Sequence, residues 1–250
     1  METQSLTATR QTIGDLGCVI VDTPGCEKGL RAVVMLCHGF GAPGEDLVPC
    51  AAELFRSEPD RLQQIRFVFP AGPLELDMGG FYESRAWWPI DMAKLQQMID
   101  SGDVRDMRQS RPELLDTRRD QIMSVIEQLR EESELAPARF VLGGFSQGAM
   151  LATETALSLP DQVGGLIVWS GTLLGESTWR EYAATKSGLK IVQSHGNQDP
   201  ILPFVGAQWL RDLFAEFEMQ NEFIEFAGPH TIPREGITLA AKLIADVAGA

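Results

Sequence analysis

The segment Arg139-Phe140-Val141-Leu142-Gly143-Gly144-Phe145-Ser146-Gln147-Gly148 constrains this chain more than any other. An apolar, β-forming run leads into G-x-S-x-G, and a helix-compatible run from Ala149 to Leu159 follows and stops at Pro160. Strand, tight turn and helix in that order force the central serine into a strained backbone conformation, and the flanking glycines remove side chains that would collide there. Composition alone gives about 0.1 chance matches to this five-residue pattern in a chain of this size, so the flanking strand and helix carry much of the weight. The Ser146 hydroxyl is therefore expected at a sheet edge, where the free N–H groups of the following helix favour developing negative charge.

The rest of the chain repeats the alternation of short apolar strands and amphipathic stretches. Ala32 to Cys37, Ile65 to Phe69, Phe140 to Leu142, Leu166 to Trp169, Leu189 to Gln193 and Phe223 to Phe226 read as strands, with Gly17 to Val21 as an N-terminal addition. Ser110-Arg111-Pro112-Glu113 has the spacing of a capping box, ahead of the stripe Leu115, Ile122, Val125, Ile126 and Leu129. Further helical stripes run through Trp209, Leu210, Leu213, Phe214 and Phe217, and through Ile237, Ala240, Leu243, Ile244 and Val247. This is the pattern of an α/β fold with a mostly parallel sheet and helices on both faces. Residues 1–250 are expected to form a single domain. Residues 71–109, rich in Gly, Pro, Trp and Met, break the pattern as a long excursion with at most one short helix around Met92 to Ile99; connections of that length usually cover or build a site.

Charge narrows the partners. With 21 Lys and Arg against 35 Asp and Glu, the net charge of −14 opposes capture of nucleic acid or an anionic membrane surface and favours a neutral or cationic substrate. The start Met1-Glu2-Thr3-Gln4-Ser5 carries neither a basic nor an apolar leader, and no apolar run approaches the ~18 residues of a membrane span, so a cytoplasmic location is expected. Cys18, Cys26, Cys37 and Cys50 show no C-x-x-C pairing and are expected to be reduced thiols rather than zinc ligands or disulfides.

A serine hydroxyl needs a base within hydrogen-bond reach, and that base needs an orienting group. After a strand–G-x-S-x-G–helix unit the partners follow in the order acid, then histidine. The chain has three histidines, His38, His195 and His230, and only His230 follows a suitable acid, Asp199. Asp199 lies in a loop after the strand ending at Gln193, and His230 in the loop just beyond the last strand. An oxyanion hole requires the N–H after the nucleophile, here Gln147, and one from the loop after an early strand, assigned to Phe40 in His38-Gly39-Phe40-Gly41. His38 and His195 are left as braces of their loops.

Gly39-Phe40-Gly41-Ala42-Pro43-Gly44 also satisfies G-x-G-x-x-G, which raises a nucleotide-binding oxidoreductase. The strand Ile65 to Phe69, however, ends in Pro70-Ala71-Gly72 without the required acid, and Pro43 removes an N–H where a helix should open. A non-catalytic binding module on the same scaffold is the other rival, because fold does not fix function.

Leu36-Cys37-His38-Gly39-Phe40-Gly41, Gly143-Gly144-Phe145-Ser146-Gln147-Gly148, His195-Gly196-Asn197-Gln198-Asp199-Pro200 and Gly228-Pro229-His230 together resemble the phospholipase/carboxylesterase family of α/β hydrolases, which includes acyl-protein thioesterases. The resemblance runs from about Arg31 to the C-terminus. It implies a compact serine hydrolase without a large cap domain, acting on short- to medium-chain acyl esters with no metal or cofactor; Ser146, Asp199 and His230 match the family's triad, and Phe40 and Gln147 its oxyanion positions. Acyl-protein thioesterase and lysophospholipase activities are the alternatives within the family. Arg85-Ala86-Trp87-Trp88-Pro89-Ile90-Asp91 matches the family's aromatic-acid signature only loosely. Trp87, Trp88, Phe81 and Thr172-Leu173-Leu174 are the candidates for an acyl pocket. The expected partner is a small or lipid-like acyl ester, and an apolar loop of this kind is compatible with a homodimer.

Overall fold

The computed structural model describes residues 5–77, 83–93, 97 and 108–249. Its centre is an eight-stranded sheet of β1 (Thr7–Ile13), β2 (Leu16–Asp22), β3 (Ala32–Cys37), β4 (Ile65–Pro70), β7 (Phe140–Phe145), β8 (Gly165–Trp169), β9 (Lys190–Gly196) and β10 (Gln220–Phe226). Two short strands, β5 (Leu74–Glu75) and β6 (Arg85–Ala86), pair separately. The sheet order is β1-β2-β4-β3-β7-β8-β9-β10, antiparallel across the first two pairings and parallel from β4 onward. The inner strands are buried on both faces, which is why they read as unbroken apolar runs.

Among the described residues six helices cover the sheet. On one face α2 (Leu115–Ser133), α3 (Gln147–Ser158), α4 (Glu176–Ala183) and α5 (Phe204–Glu216) pack their apolar stripes against residues such as Met35, Phe140 and Leu142. On the other, α1 (Val48–Ser57) and α6 (Arg234–Ala248) bury Leu54, Phe55, Ala240 and Ile244 against Val34, Leu36, Phe67 and Phe69. Each fully buried Leu, Ile or Phe contributes about 1.5–3 kcal/mol, so the two apolar layers hold the sheet from both sides.

The expected strands all form, most of them a residue or more longer than their apolar runs. The capping box does not. Helix α2 starts at Leu115 after Leu114, without a side-chain cap. Upstream, the Ser110 carbonyl accepts the Gly175 N–H at 3.0 Å and Arg111 reaches Glu154 on α3, so this stretch is spent on tying α2 to α3 and α4. The excursion contains the β5–β6 pair, which its composition does not announce. The expected helix around Met92 to Ile99 is seen at Met92, Ala93 and Gln97, the rest of it lying outside the described residues.

Candidate active site

The site is built at the carboxyl ends of the parallel strands. Ser146 sits between β7 and α3 with φ 55° and ψ −120°, a conformation that L residues rarely adopt. Two glycines make this turn fit against the neighbouring strand. A Cβ at Gly144 or Gly148 would stand 2.4 or 2.1 Å from the Cys37 carbonyl oxygen, so the G-x-S-x-G spacing is a packing requirement set by the end of β3. The Ser146 N–H donates to Trp169 O at 2.9 Å, which fastens the turn to β8, and the residue as a whole is 9% exposed.

Asp199 and His230 meet across the ends of β9 and β10. A Cβ at Gly196 would come within 2.3 Å of the Gly228 carbonyl oxygen, so the bare glycine lets the two loops touch. The Gln198 N–H donates to Gly228 O at 3.1 Å, and the Asn197 N–H to Phe226 O at 2.9 Å. His230 Nδ1 then lies 2.6 Å from Asp199 Oδ2. A carboxylate can only accept, so Nδ1 carries a proton, and in the neutral ring the lone pair is on Nε2.

The Asp199 side chain is 0% exposed, yet well supplied with donors. Its Oδ1 accepts the Ile201 and Leu202 N–H groups at 2.8 and 2.9 Å, and His195 Nε2 approaches Oδ2 at 3.2 Å. Burial alone would raise its pKa; the bonds from His195, His230 and the Leu202 amide outweigh burial and hold it well below the usual carboxylate range. His195 Nε2 also donates to Leu202 O at 3.0 Å, so this histidine braces the acid's loop from the end of β9.

The loop carrying His230 is drawn to the serine turn at two points. The His230 ring packs on Phe145, the residue before Ser146, with centroids 4.7 Å apart. Ser170 Oγ, one residue beyond β8, donates to Thr231 O at 3.2 Å. Among the described residues no hydrogen bond joins Ser146 Oγ to His230; such bonds are often long before substrate binds.

Phe40 and Gln147 flank the turn. Gly39 is so close that a Cβ there would lie 3.5 Å from Ser146 Cβ, which puts the Gly39–Phe40 peptide beside the serine. Gln147 opens α3, and among the described residues neither its N–H nor that of Phe40 is engaged. The buried Gln147 side chain accepts from the Trp87 N–H and donates to the Trp88 carbonyl, both at 2.8 Å. The sequence offers no sign of that clamp, because it joins positions about sixty residues apart.

The expected pocket residues among those described are buried side chains. Trp87 is 0% exposed, with its indole N–H on His38 O at 2.9 Å and its carbonyl held by Arg118 Nε at 2.7 Å, bonds that anchor the loop. Trp88 and Leu173 keep 3% and 2% exposure, and Thr172 and Leu174 are likewise buried. Phe81 lies outside the described residues. All four cysteines are free thiols, and among the described residues no cluster of three or more His, Cys, Asp and Glu side chains is arranged to hold a metal ion.

A phospholipase/carboxylesterase family model matches residues 21–247, nearly the whole chain. The chain belongs to the phospholipase/carboxylesterase family. Within or beside that family, acyl-protein thioesterase 1 of Saccharomyces cerevisiae is 27% identical over 222 residues, covering 84% of this chain and 91% of that protein. Its counterpart in Kluyveromyces lactis is 30% identical over 177 residues, covering 69% and 72%. The solved structure of esterase PE8 superposes with a TM-score of 0.73 at 23% identity, covering 97% of this chain and 99% of that one. A carboxylesterase from Mesorhizobium loti gives 0.71 at 14% identity, covering 95% and 98%. At these identities the solved structures establish the α/β fold and nothing finer. Membership makes this chain a hydrolase of the phospholipase/carboxylesterase type. No helix among the described residues is long and apolar enough to cross a membrane.

Proposed function

We propose that this chain is a serine carboxylic ester hydrolase for short- to medium-chain acyl esters, with Ser146 as nucleophile, His230 as base and Asp199 as its orienting acid. The observation that carries the reading is the 2.6 Å bond from His230 Nδ1 to a buried Asp199 carboxylate, in a loop packed on Phe145 beside the strained serine. That bond leaves His230 Nε2 free to take the serine proton and stabilises the imidazolium that results.

The chemistry runs in two halves. Ser146 Oγ attacks the ester carbonyl while His230 accepts its proton, and the Phe40 and Gln147 amides bind the oxyanion. Collapse expels the alcohol, which takes the proton back from His230, and leaves an acyl-enzyme. Water attacks the acyl carbonyl as the same imidazole takes its proton, which then passes to Ser146 Oγ as the ester bond breaks, releasing the acid and restoring the serine. Trp88 and Leu173 are assigned to the border of the acyl site, and residues 1–250 to a single cytoplasmic domain.

A thioester substrate is the second reading, favoured by the naming of the curated relatives as acyl-protein thioesterases at 27–30% identity. The same triad serves it, since only the leaving group changes. Purified protein treated with a fluorophosphonate probe tests both readings at once: labelling at Ser146 is expected, and its absence in folded protein would favour a binding module. A panel of matched esters and thioesters of increasing acyl length then separates the two substrates.

A further inference from the structure

We infer that His38 is a positioning residue for the oxyanion hole, its imidazole fixing the plane of the Gly39–Phe40 peptide so that the Phe40 N–H faces the reacting carbonyl. The inference rests on the ester-hydrolase reading and assigns a task to a histidine outside the triad.

A donor thirty-four residues away fixes the tautomer of His38. The Gly72 N–H donates to His38 Nε2 at 2.8 Å, so that nitrogen must offer its lone pair and the ring proton must sit on Nδ1. His38 Nδ1 lies 2.8 Å from Gly39 O and donates to it. A trans peptide is planar, with C=O and N–H pointing in opposite directions. Fixing Gly39 O toward the imidazole therefore turns the Phe40 N–H away from it, and that peptide stands beside Ser146. Without the Nδ1 bond the Ala42 N–H, at 3.4 Å, is the remaining donor to Gly39 O among the described residues.

The surroundings hold the ring in that one state. A Cβ on Gly72 would lie 2.7 Å from Ala86 O and 3.1 Å from His38 Nε2, so only glycine brings its N–H this close. His38 is 1% exposed, its ring is 5.3 Å from that of Trp87, and its own carbonyl takes the Trp87 indole N–H. Burial lowers its basicity below the usual histidine range, which keeps Nε2 unprotonated and open to Gly72.

Two substitutions take the ring's two bonds apart. In His38→Asn the amide nitrogen stands near the former Nδ1 and can still donate to Gly39 O; in His38→Gln the amide reaches the former Nε2 position and can serve Gly72 instead. Hydrolysis of p-nitrophenyl butyrate and inhibition by an alkyl boronic acid, whose tetrahedral adduct on serine reports the oxyanion hole, are measured for both. We expect kcat to fall about 10- to 100-fold in His38→Gln and less than about fivefold in His38→Asn, with KM within about twofold and boronate affinity tracking kcat. A merely structural histidine would give equal losses or favour Gln, and either pattern overturns the inference. The wild-type protein supplies a readout independent of variant folding: 15N NMR of its three histidines should show His38 as the Nδ1–H tautomer, and an Nε2–H tautomer overturns the inference as well. Absence of hydrolysis by wild type would instead sink the ester-hydrolase reading, and the inference with it.

Discussion

His195 Nε2 stands 3.2 Å from Asp199 Oδ2, the same oxygen that receives His230 Nδ1. The acid thus serves two imidazoles, one buried at the end of β9 and one packed on the serine turn. Removing the buried one with His195→Leu takes a charge-assisted donor from Asp199 and leaves Leu202 O without that partner. A bond to a charged group contributes about 1.5–3 kcal/mol, and a loss of stability in that range is expected in chemical denaturation. Because Asp199 would be less firmly oriented, kcat/KM should also fall, by about tenfold, and His195→Gln, which retains a donor near Nε2, should recover most of both.

The depressed Asp199 pKa has a consequence for acid stability. A carboxyl whose folded value lies below its ordinary value of 3.8 stabilises the fold at neutral pH. That contribution is complete above the ordinary value and is lost as pH falls from there toward the lower pH at which the folded carboxyl takes its proton. In Asp199→Asn nothing titrates at this position, so stability measured from pH 5 down to pH 2 should decline less steeply than in wild type. Activity should drop about 10⁴-fold, because the amide no longer fixes the imidazole tautomer or balances its charge.

Glu154 anchors the opposite flank of α3. Fully buried, it accepts from Arg111 at 2.8 and 3.1 Å, from Arg119 at 3.2 Å and from the Trp179 indole at 2.6 Å. Truncating it with Glu154→Ala leaves two guanidinium groups and an indole N–H facing a cavity. The arginines keep some exposure to water, so the expected cost is about 3 kcal/mol, the lower end for a broken buried pair. A urea melt checks it.

The parts of this molecule legible in its sequence are those whose cause is local. The inner strands are apolar because both faces are covered, and Gly144 and Gly148 announce a turn that has no room for side chains. Strand β1 was hidden because Thr7 to Thr12 are exposed and polar, and it pairs only because a turn at Gly14, with φ 56°, folds it back on β2. Helix α1 is not among the expected stripes although Ala51, Leu54 and Phe55 share one face, because it is only ten residues long and Pro49 in its first turn reads equally as part of a loop. Around the site, residue types and their order pointed to Ser146, Asp199 and His230. The bonds from Gly72 to His38 and from Gln147 to the Trp87–Trp88 segment have no local signature. The Gln147 bonds fix the backbone of Trp87 and Trp88, which the aromatic composition of a long loop does not reveal.

Trp88 tests the assignment of the acyl site. Replacing this buried indole with alanine should cost about 3–5 kcal/mol through the cavity it leaves. If the residue borders the acyl site, the added space should also shift the preference among C2 to C8 esters toward longer chains. An unchanged chain-length profile in folded Trp88→Ala removes Trp88 from the substrate site.

The proposed chemistry depends first on the reactivity of the Ser146 hydroxyl. Initial rates of p-nitrophenyl butyrate hydrolysis should be compared for wild type and Ser146→Ala at neutral pH, with circular dichroism confirming that both are folded. The account predicts a loss of at least ~10⁴-fold, leaving the variant near the uncatalysed background. A folded Ser146→Ala protein that turns over the ester within about twofold of wild type would contradict it.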